Sequence, residues 1–326
     1  MKRHGHVRAL LGAAILLAAT AHAALAQSYP TKPISYIIGF APGGPSDVLS
    51  RVLTNRMEQT LKQPFVIENR AGAGGGIAAQ SVARAAPDGH TLLLATNGMF
   101  AINPHVYKTL GYDPEKDFEL IGIIGLQPNV LFVHPSVEIK TLAEFIAYAK
   151  ANPGKLNYGT GGVGTSSHLA GELLKMEAKI DMVHVAHRGT GQVIQAVVGN
   201  HIPVGMNPPA PLISLIEAKQ IRPIAVTSLK RTEAMPDVPT VAELGFPGFE
   251  ATVWHSLVAP AGTPKEVIAQ LSKAMIEALN DPPVRKQMTD LGIDVVANTP
   301  EQFRAVLKAD IPKWGAVAQT AGLKRE

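Results

Sequence analysis

The stretch Ile34-Ser35-Tyr36-Ile37-Ile38-Gly39-Phe40-Ala41-Pro42-Gly43-Gly44-Pro45-Ser46-Asp47 sets out the architecture of the chain. Its first residues form a β-type apolar segment, and Pro42 with the paired glycines then breaks any regular element. Ser46 or Asp47 is placed to cap a helix that continues through Val48, Leu49, Val52, Leu53 and Met57. Such a turn aims unpaired backbone N–H groups and the positive end of a helix dipole at one point, which suits an anion. An ordinary βα connection carries the same turn residues. A second loop of the same kind favours the anion site.

That second loop is Leu156-Asn157-Tyr158-Gly159-Thr160-Gly161-Gly162-Val163-Gly164-Thr165-Ser166-Ser167-His168, leading into Leu169-Ala170-Gly171-Glu172. Again a strand enters, glycines turn the chain, and hydroxyl residues open a helix. Gly159, Gly161 and Gly164 match G-x-G-x-x-G, the spacing of a dinucleotide site. That fingerprint needs an acid at the far end of the next strand, and Asp181 stands before the Val183–Val185 strand instead. A dinucleotide fold is therefore set aside. His184 and His187 form H-x-x-H without the clustered carboxylates that a metal site would add, so no metal is expected. No G-x-S-x-G elbow occurs, and with no cysteine there is no thiol nucleophile. Arg188-Gly189-Thr190-Gly191-Gln192 opens a further helix; Arg188 suits bidentate pairing with a carboxylate or an exposed loop position equally.

At the N-terminus Lys2, Arg3 and Arg8 precede an uncharged apolar run from Ala9 to Ala19 and small-residue cleavage options at Ala21–Ala26. This is the pattern of a cleavable secretory signal over residues 1–26, too short for a membrane span. Its removal leaves 27 basic against 26 acidic residues, so the formal charge drops from +4 to +1. No basic block remains to suggest nucleic acid. The absence of cysteine excludes a disulfide framework, thiolate metal sites and a lipidated N-terminus. The expected mature product is an exported, soluble monomer without a cofactor, of a length that suggests two domains.

Apolar runs at Ile34–Phe40, Phe65–Glu68, Thr91–Ala95, Leu120–Ile124, Asn129–Val133, Val183–Val185, Ile202–Met206, Arg222–Val226 and Val253–Ala259 predict short strands. Between most of them lie helical patterns. Thr141…Glu144, Thr240…Glu243, Thr263…Glu266 and Thr299…Gln302 fit the capping box, with Pro264 and Pro300 at the first helical position. Alternation of this kind predicts an α/β protein with open, mostly parallel sheets flanked by helices. The chain has crossing points near Gly125–Asn129 and Phe249–Trp254. They predict a discontinuous first lobe (27–126 plus 252–326), an inserted second lobe (127–251) and a ligand cleft between them.

With both loops in view, the chain resembles the Bug family of periplasmic solute receptors, the binding components of tripartite tricarboxylate transporters. The pieces that carry the resemblance are Phe40–Asp47, Val66-Ile67-Glu68-Asn69-Arg70-Ala71-Gly72-Ala73-Gly74-Gly75, Pro87-Asp88-Gly89-His90-Thr91-Leu92-Leu93 and Gly159–Leu169. It covers nearly the whole mature chain. The resemblance implies a two-lobed, type II Venus-flytrap receptor that closes on a small organic mono- or dicarboxylate and delivers it to membrane permease subunits. It places Phe40, Pro42, Gly43, Gly44, Ser46 and Asp47 on one side of the ligand, and Gly162, Thr165, Ser166 and His168 on the other. Thr96 and Asn97 match a further ligand-facing position.

Two departures stand out. The family commonly reads Tyr-Lys-Gly where this chain has His187-Arg188-Gly189, and often Asp where Ala196 and Asn207 stand. Asn207 falls at a strand end, where an open α/β sheet presents its crevice. Loss of the acid argues against an obligatory ammonium on the ligand, and Arg188 argues for a second carboxylate. Two other functions fit less well: an orphan receptor used in signalling, and a secreted hydrolase or isomerase with His168, His184 or His187 as base. The last lacks an orienting acid beside any of these histidines.

Overall fold

The computed structural model describes residues 29–323; the leader expected over residues 1–26 lies outside them. Strands β1 (Ile34–Ile38), β2 (Phe65–Asn69), β3 (Thr91–Thr96) and β4 (Phe118–Gln127) join β10 (Val253–Pro260) and β11 (Asp294–Val295) in one sheet, ordered β11-β4-β10-β3-β1-β2. Strands β5 (Val130–Val133), β6 (Asn157–Thr160), β7 (Val183–Ala186), β8 (Val204–Asn207) and β9 (Arg222–Val226) form the second, ordered β7-β6-β8-β5-β9. The helices are α1 (Pro45–Leu61), α2 (Gly76–Ala83), α3 (Asn103–Val106), α4 (Leu142–Ala151), α5 (Ser166–Ala178), α6 (Thr190–Val198), α7 (Ile213–Glu217), α8 (Lys265–Leu279), α9 (Pro282–Asp290) and α10 (Pro300–Thr320).

Both sheets are mixed rather than mostly parallel. β10 and β11 run against the other four strands of the first sheet, and β5 against the other four of the second. The reason lies in the crossings. β1, β3, β6 and β8 end at the cleft, whereas β5 and β10 begin there after carrying the chain between the sheets. The two-residue β11 had no counterpart in the sequence pattern, because so short a pairing shows no alternation.

Alternation along the strands sorts side chains between two faces. Ile34, Tyr36, Ile38, Leu92 and Leu94 pack with Leu49, Leu53 and Met57 of α1 and with Leu271 and Met275 of α8. Ile37, Leu93 and Ala95 face the other way, onto α2 and onto Phe303 and Leu307 of α10. Leu49, Leu53 and Met57 have no exposed surface, and each contributes about 1.5–3 kcal/mol by leaving water. In the second sheet Leu131, Val133, Tyr158, Val204 and Met206 pack with α4 and α5, while Val130 and Phe132 meet Val193 and Val197 of α6. Helix α10 belongs to both halves: beyond Pro312, its Trp314 and Val317 enter the core of the second sheet.

The capping signals divide. Thr141–Glu144 and Thr299–Gln302 form reciprocal boxes at the starts of α4 and α10. Thr240 and Glu243 also exchange both bonds, at 2.9 Å each, yet only a turn follows. Gly245, at φ +112°, and Pro247 cut that helix short. Thr263 does not cap α8: its hydroxyl donates to the Pro260 carbonyl, and Pro264 is the N-cap rather than the first helical residue. Likewise neither Ser46 nor Asp47 caps α1. The N-cap is Gly44, Pro45 takes the first position, and Ser46 and Asp47 sit inside the first turn.

A compact set of hydrogen bonds ties the crossings together. Asn129 N–H donates to Thr227 Oγ1 and Thr227 N–H to the Asn129 carbonyl, at 2.8 and 2.9 Å. Thr227 Oγ1 donates to the Ala251 carbonyl, and Asn97 Nδ2 to that of Thr252, both at 2.8 Å. Ser167 Oγ, in the first turn of α5, donates to Asn129 Oδ1 at 2.6 Å.

Candidate functional site

A cleft of about 820 Å³ lies where the strand ends of the two sheets face each other. From the first sheet it is lined by Phe40, by Gly44, Pro45 and Ser46 at the start of α1, and by Thr96 and Asn97 after β3. Across from them stand Val163, Gly164, Thr165 and Ser166 at the start of α5. Both helices are long. In the first turn of α1 Pro45 has no N–H and Asp47 N–H bonds the Gly44 carbonyl at 3.0 Å, which leaves the Ser46 amide for a ligand. In the first turn of α5 His168 N–H bonds Thr165 Oγ1, which leaves the amides of Ser166 and Ser167. Ser46, Thr165 and Ser166 add hydroxyls beside those amides. Among the described residues lining the cleft, none is Asp, Glu, Lys or Arg.

Each turn is held by groups behind it. In the first, Gly43 adopts φ +78° while Gly44 is extended at φ −77°, so only Gly43 needs the freedom of glycine. Asp47 is buried and faces away from the cleft. Its Oδ2 accepts from Gly43 N–H and Arg51 Nε at 3.0 Å each, and its Oδ1 from Arg51 Nη2 and Asn69 Nδ2 at 3.1 Å. The hydrogen bond from Arg51 leads the causes that hold the Asp47 carboxyl at about 2. Asp47 therefore shapes the turn, and Gly43 spends its amide on Asp47. Pro42, Gly43 and Asp47 do not line the cleft.

In the second turn Gly162 and Gly164 take φ +141° and +75°. Thr165 is the N-cap: its Oγ1 accepts from His168 N–H at 3.3 Å and donates to the Gly162 carbonyl at 2.8 Å. His168 is buried under the loop, where Nδ1 accepts from Gly164 N–H at 3.1 Å. It stacks on His184, with ring centroids 3.8 Å apart, and His184 Nε2 meets Thr160 Oγ1 at 2.6 Å. Burial pushes the His168 imidazole down, and burial followed by the neighbouring His168 pushes His184 down to about 4. Both rings are neutral at pH 7, and the lone pair on His168 Nδ1 is the one that braces the loop. Gly162 and His168 stand behind the cleft surface rather than on it.

Two further expected residues lie elsewhere. Arg188 is exposed, with its amide on Gln192 Oε1 at 3.0 Å, outside the cleft lining. Asn207 is fully buried at the end of β8, donating from Nδ2 to the Thr190 carbonyl at 3.3 Å. The cleft is also lined by residues that no motif marks. Gly98 and Ile102 lie on a π-helical turn (Gly98–Ile102), followed by Asn103 and Val106 on α3 and by Tyr107. Gln127, Val253 and His255 come from the crossing strands, and Gly322 and Leu323 follow α10. The rule that strand ends face the crevice reaches Gln127 and, because β10 runs the other way, Val253; nothing in the sequence marks Leu323.

Two α/β halves that meet over a cleft lined by paired helix N-termini and neutral side chains define a solute-binding receptor. Residues 49–323 match the family model described as the tripartite tricarboxylate transporter family receptor, TctC, and the chain belongs to that family. The family is one of receptors, not enzymes. The chain is 32% identical to the protein BugT of Bordetella pertussis over 97% of both sequences. It superposes on R. palustris Rpa4515 with adipate at a TM-score of 0.78 and 33% identity, covering 92% of this chain and 100% of that one. MatC from Rhodopseudomonas palustris with bound malate gives a TM-score of 0.73 at 33% identity, covering 89% and 99%.

Proposed function

We propose that this protein binds a small organic carboxylate between its lobes and delivers it to the permease subunits of a tripartite tricarboxylate transporter, after export to the periplasm. The observation that carries this reading is the meeting of the α1 and α5 N-termini, one from each half, in a cleft whose described lining holds no acidic side chain. Oriented amides and hydroxyls stabilise a dehydrated carboxylate without a buried counter-cation. The adipate and malate held by relatives of similar length support the same ligand class. We assign the carboxylate contacts to Ser46 and Ser166 and to the adjoining main chain, with Gly43, Asp47, Gly162, Thr165 and His168 holding the two turns in shape. Arg188 is not assigned to a second carboxylate.

Thermal-shift screening of aliphatic and aromatic carboxylates tests the reading, because a ligand at 100 times its Kd adds roughly 2.7 kcal/mol of stability. The expected outcome is stabilisation by one or more of these acids, lost in Gly162→Val, whose β-branched side chain cannot follow φ +141°. Stabilisation by none of them, or full binding by Gly162→Val, overturns it.

A further inference from the structure

His255 is a buried polar side chain of the cleft. It is 3% exposed, lines the cavity, and has no protein hydrogen-bond partner on either ring nitrogen among the described residues. Strand register sets it opposite Thr96 on β3. By alternation Thr96 shares the sheet face of Leu92 and Leu94, the face that α1 covers, so His255 and Thr96 stand under the helix whose N-terminus presents Ser46. An imidazole buried without a partner leaves one N–H and one lone pair unsatisfied, which is costly in a low-dielectric site. Among the described residues of the cleft lining, no charged side chain lies beside it to recharge it or to receive a second ligand charge.

We infer that His255 hydrogen-bonds a hydroxyl of the bound ligand, so that the receptor selects hydroxycarboxylates over the corresponding plain acids. The inference rests on the carboxylate reading above. A carboxylate oxygen can only accept, and it is already served by the two helix N-termini. An ammonium can only donate, and no acid among the described lining residues would balance its charge. A hydroxyl both donates and accepts, so it pairs with whichever ring nitrogen faces it, in either tautomer. His255 is thereby a specificity-determining residue rather than part of the carboxylate cradle.

The test is isothermal titration of malate against succinate, lactate against propionate and β-hydroxybutyrate against butyrate, with alanine as the ammonium probe. Wild type, His255→Phe and His255→Gln are compared. One neutral hydrogen bond predicts that wild type binds the hydroxylated member of a matching pair roughly tenfold more tightly. His255→Phe keeps a planar ring but removes both nitrogens, and should bring that ratio to about one. His255→Gln retains a donor and an acceptor and should recover part of the preference. A hydroxyl preference unchanged in His255→Phe, an equal loss for both members of a pair, or tighter binding of alanine than of lactate overturns the inference. Failure of wild type to bind any of these acids or any other carboxylate is a different result: it overturns the carboxylate reading itself.

Discussion

Residues of one chemical type hold opposite jobs here. His168 accepts a backbone hydrogen bond beneath the second turn, whereas His255 lies in the cleft with both nitrogens free of partners among the described residues. Burial pushes the His255 imidazole down to about 4 from its ordinary 6.5. Between these values the unfolded chain binds a proton that the folded chain refuses, so stability falls as pH falls. The expected contribution is a loss of roughly 2 kcal/mol between pH 7 and pH 5, from the 1.36 kcal/mol carried by each unit. Urea denaturation of His255→Phe should show a shallower decline over that range than wild type; equal slopes would remove His255 as its source. Phe40, Gly44, Ser46, Thr96, Asn97, Thr165 and Ser166, which the family resemblance points to, line the cleft, each at a strand end or a glycine turn. Asp47 and His168 share those loops but turn inward, claimed by Arg51 and Gly164. Motif position does not reveal which way a side chain turns. The Val253–Ala259 run reads as an apolar strand, so His255 gave no signal.

At the scale of elements, identical capping chemistry serves stability in one helix and recognition in another. Thr141 caps α4, whose start contributes nothing to the cleft, and Thr165 caps α5, whose start lines it. Thr141→Ala and Thr165→Ala should each cost about 1 kcal/mol of stability. Only Thr165→Ala should also weaken carboxylate binding, by about 0.5–3 kcal/mol, since its hydroxyl holds the Gly162 carbonyl and with it the turn that lines the cleft. Paired chemical denaturation and calorimetry separate the two effects, and equal affinity in both variants would count against Thr165. Capping boxes were readable from sequence where the following residues sustain a helix. They misled at Thr240, where Gly245 and Pro247 end the helix after one turn, and at Thr263, whose hydroxyl serves the preceding turn instead.

Over the whole molecule, two halves joined by short crossings favour a hinge motion that brings the α1 and α5 N-termini together on the ligand. Small-angle scattering with a saturating carboxylate should show a smaller radius of gyration than the free protein; no change at saturation would exclude closure in solution. The two-sheet arrangement was foreshadowed by strand-like apolar runs that alternate with helical patterns along the chain. The sheets' mixed polarity was not, because alternation marks a strand without giving its direction.

The course of α10 was equally hidden, since an amphipathic stripe looks the same whichever core receives it. Its Phe303 and Leu307 lie in one hydrophobic core, while Trp314 and Val317 lie in the other. Neither half can lose its packing without stripping a face from a helix that the other half needs. Melting should therefore be a single cooperative event, with calorimetric and van't Hoff enthalpies in agreement. Trp314→Ala, by emptying a large buried volume at the far end of that helix, should loosen this coupling and split the transition in two.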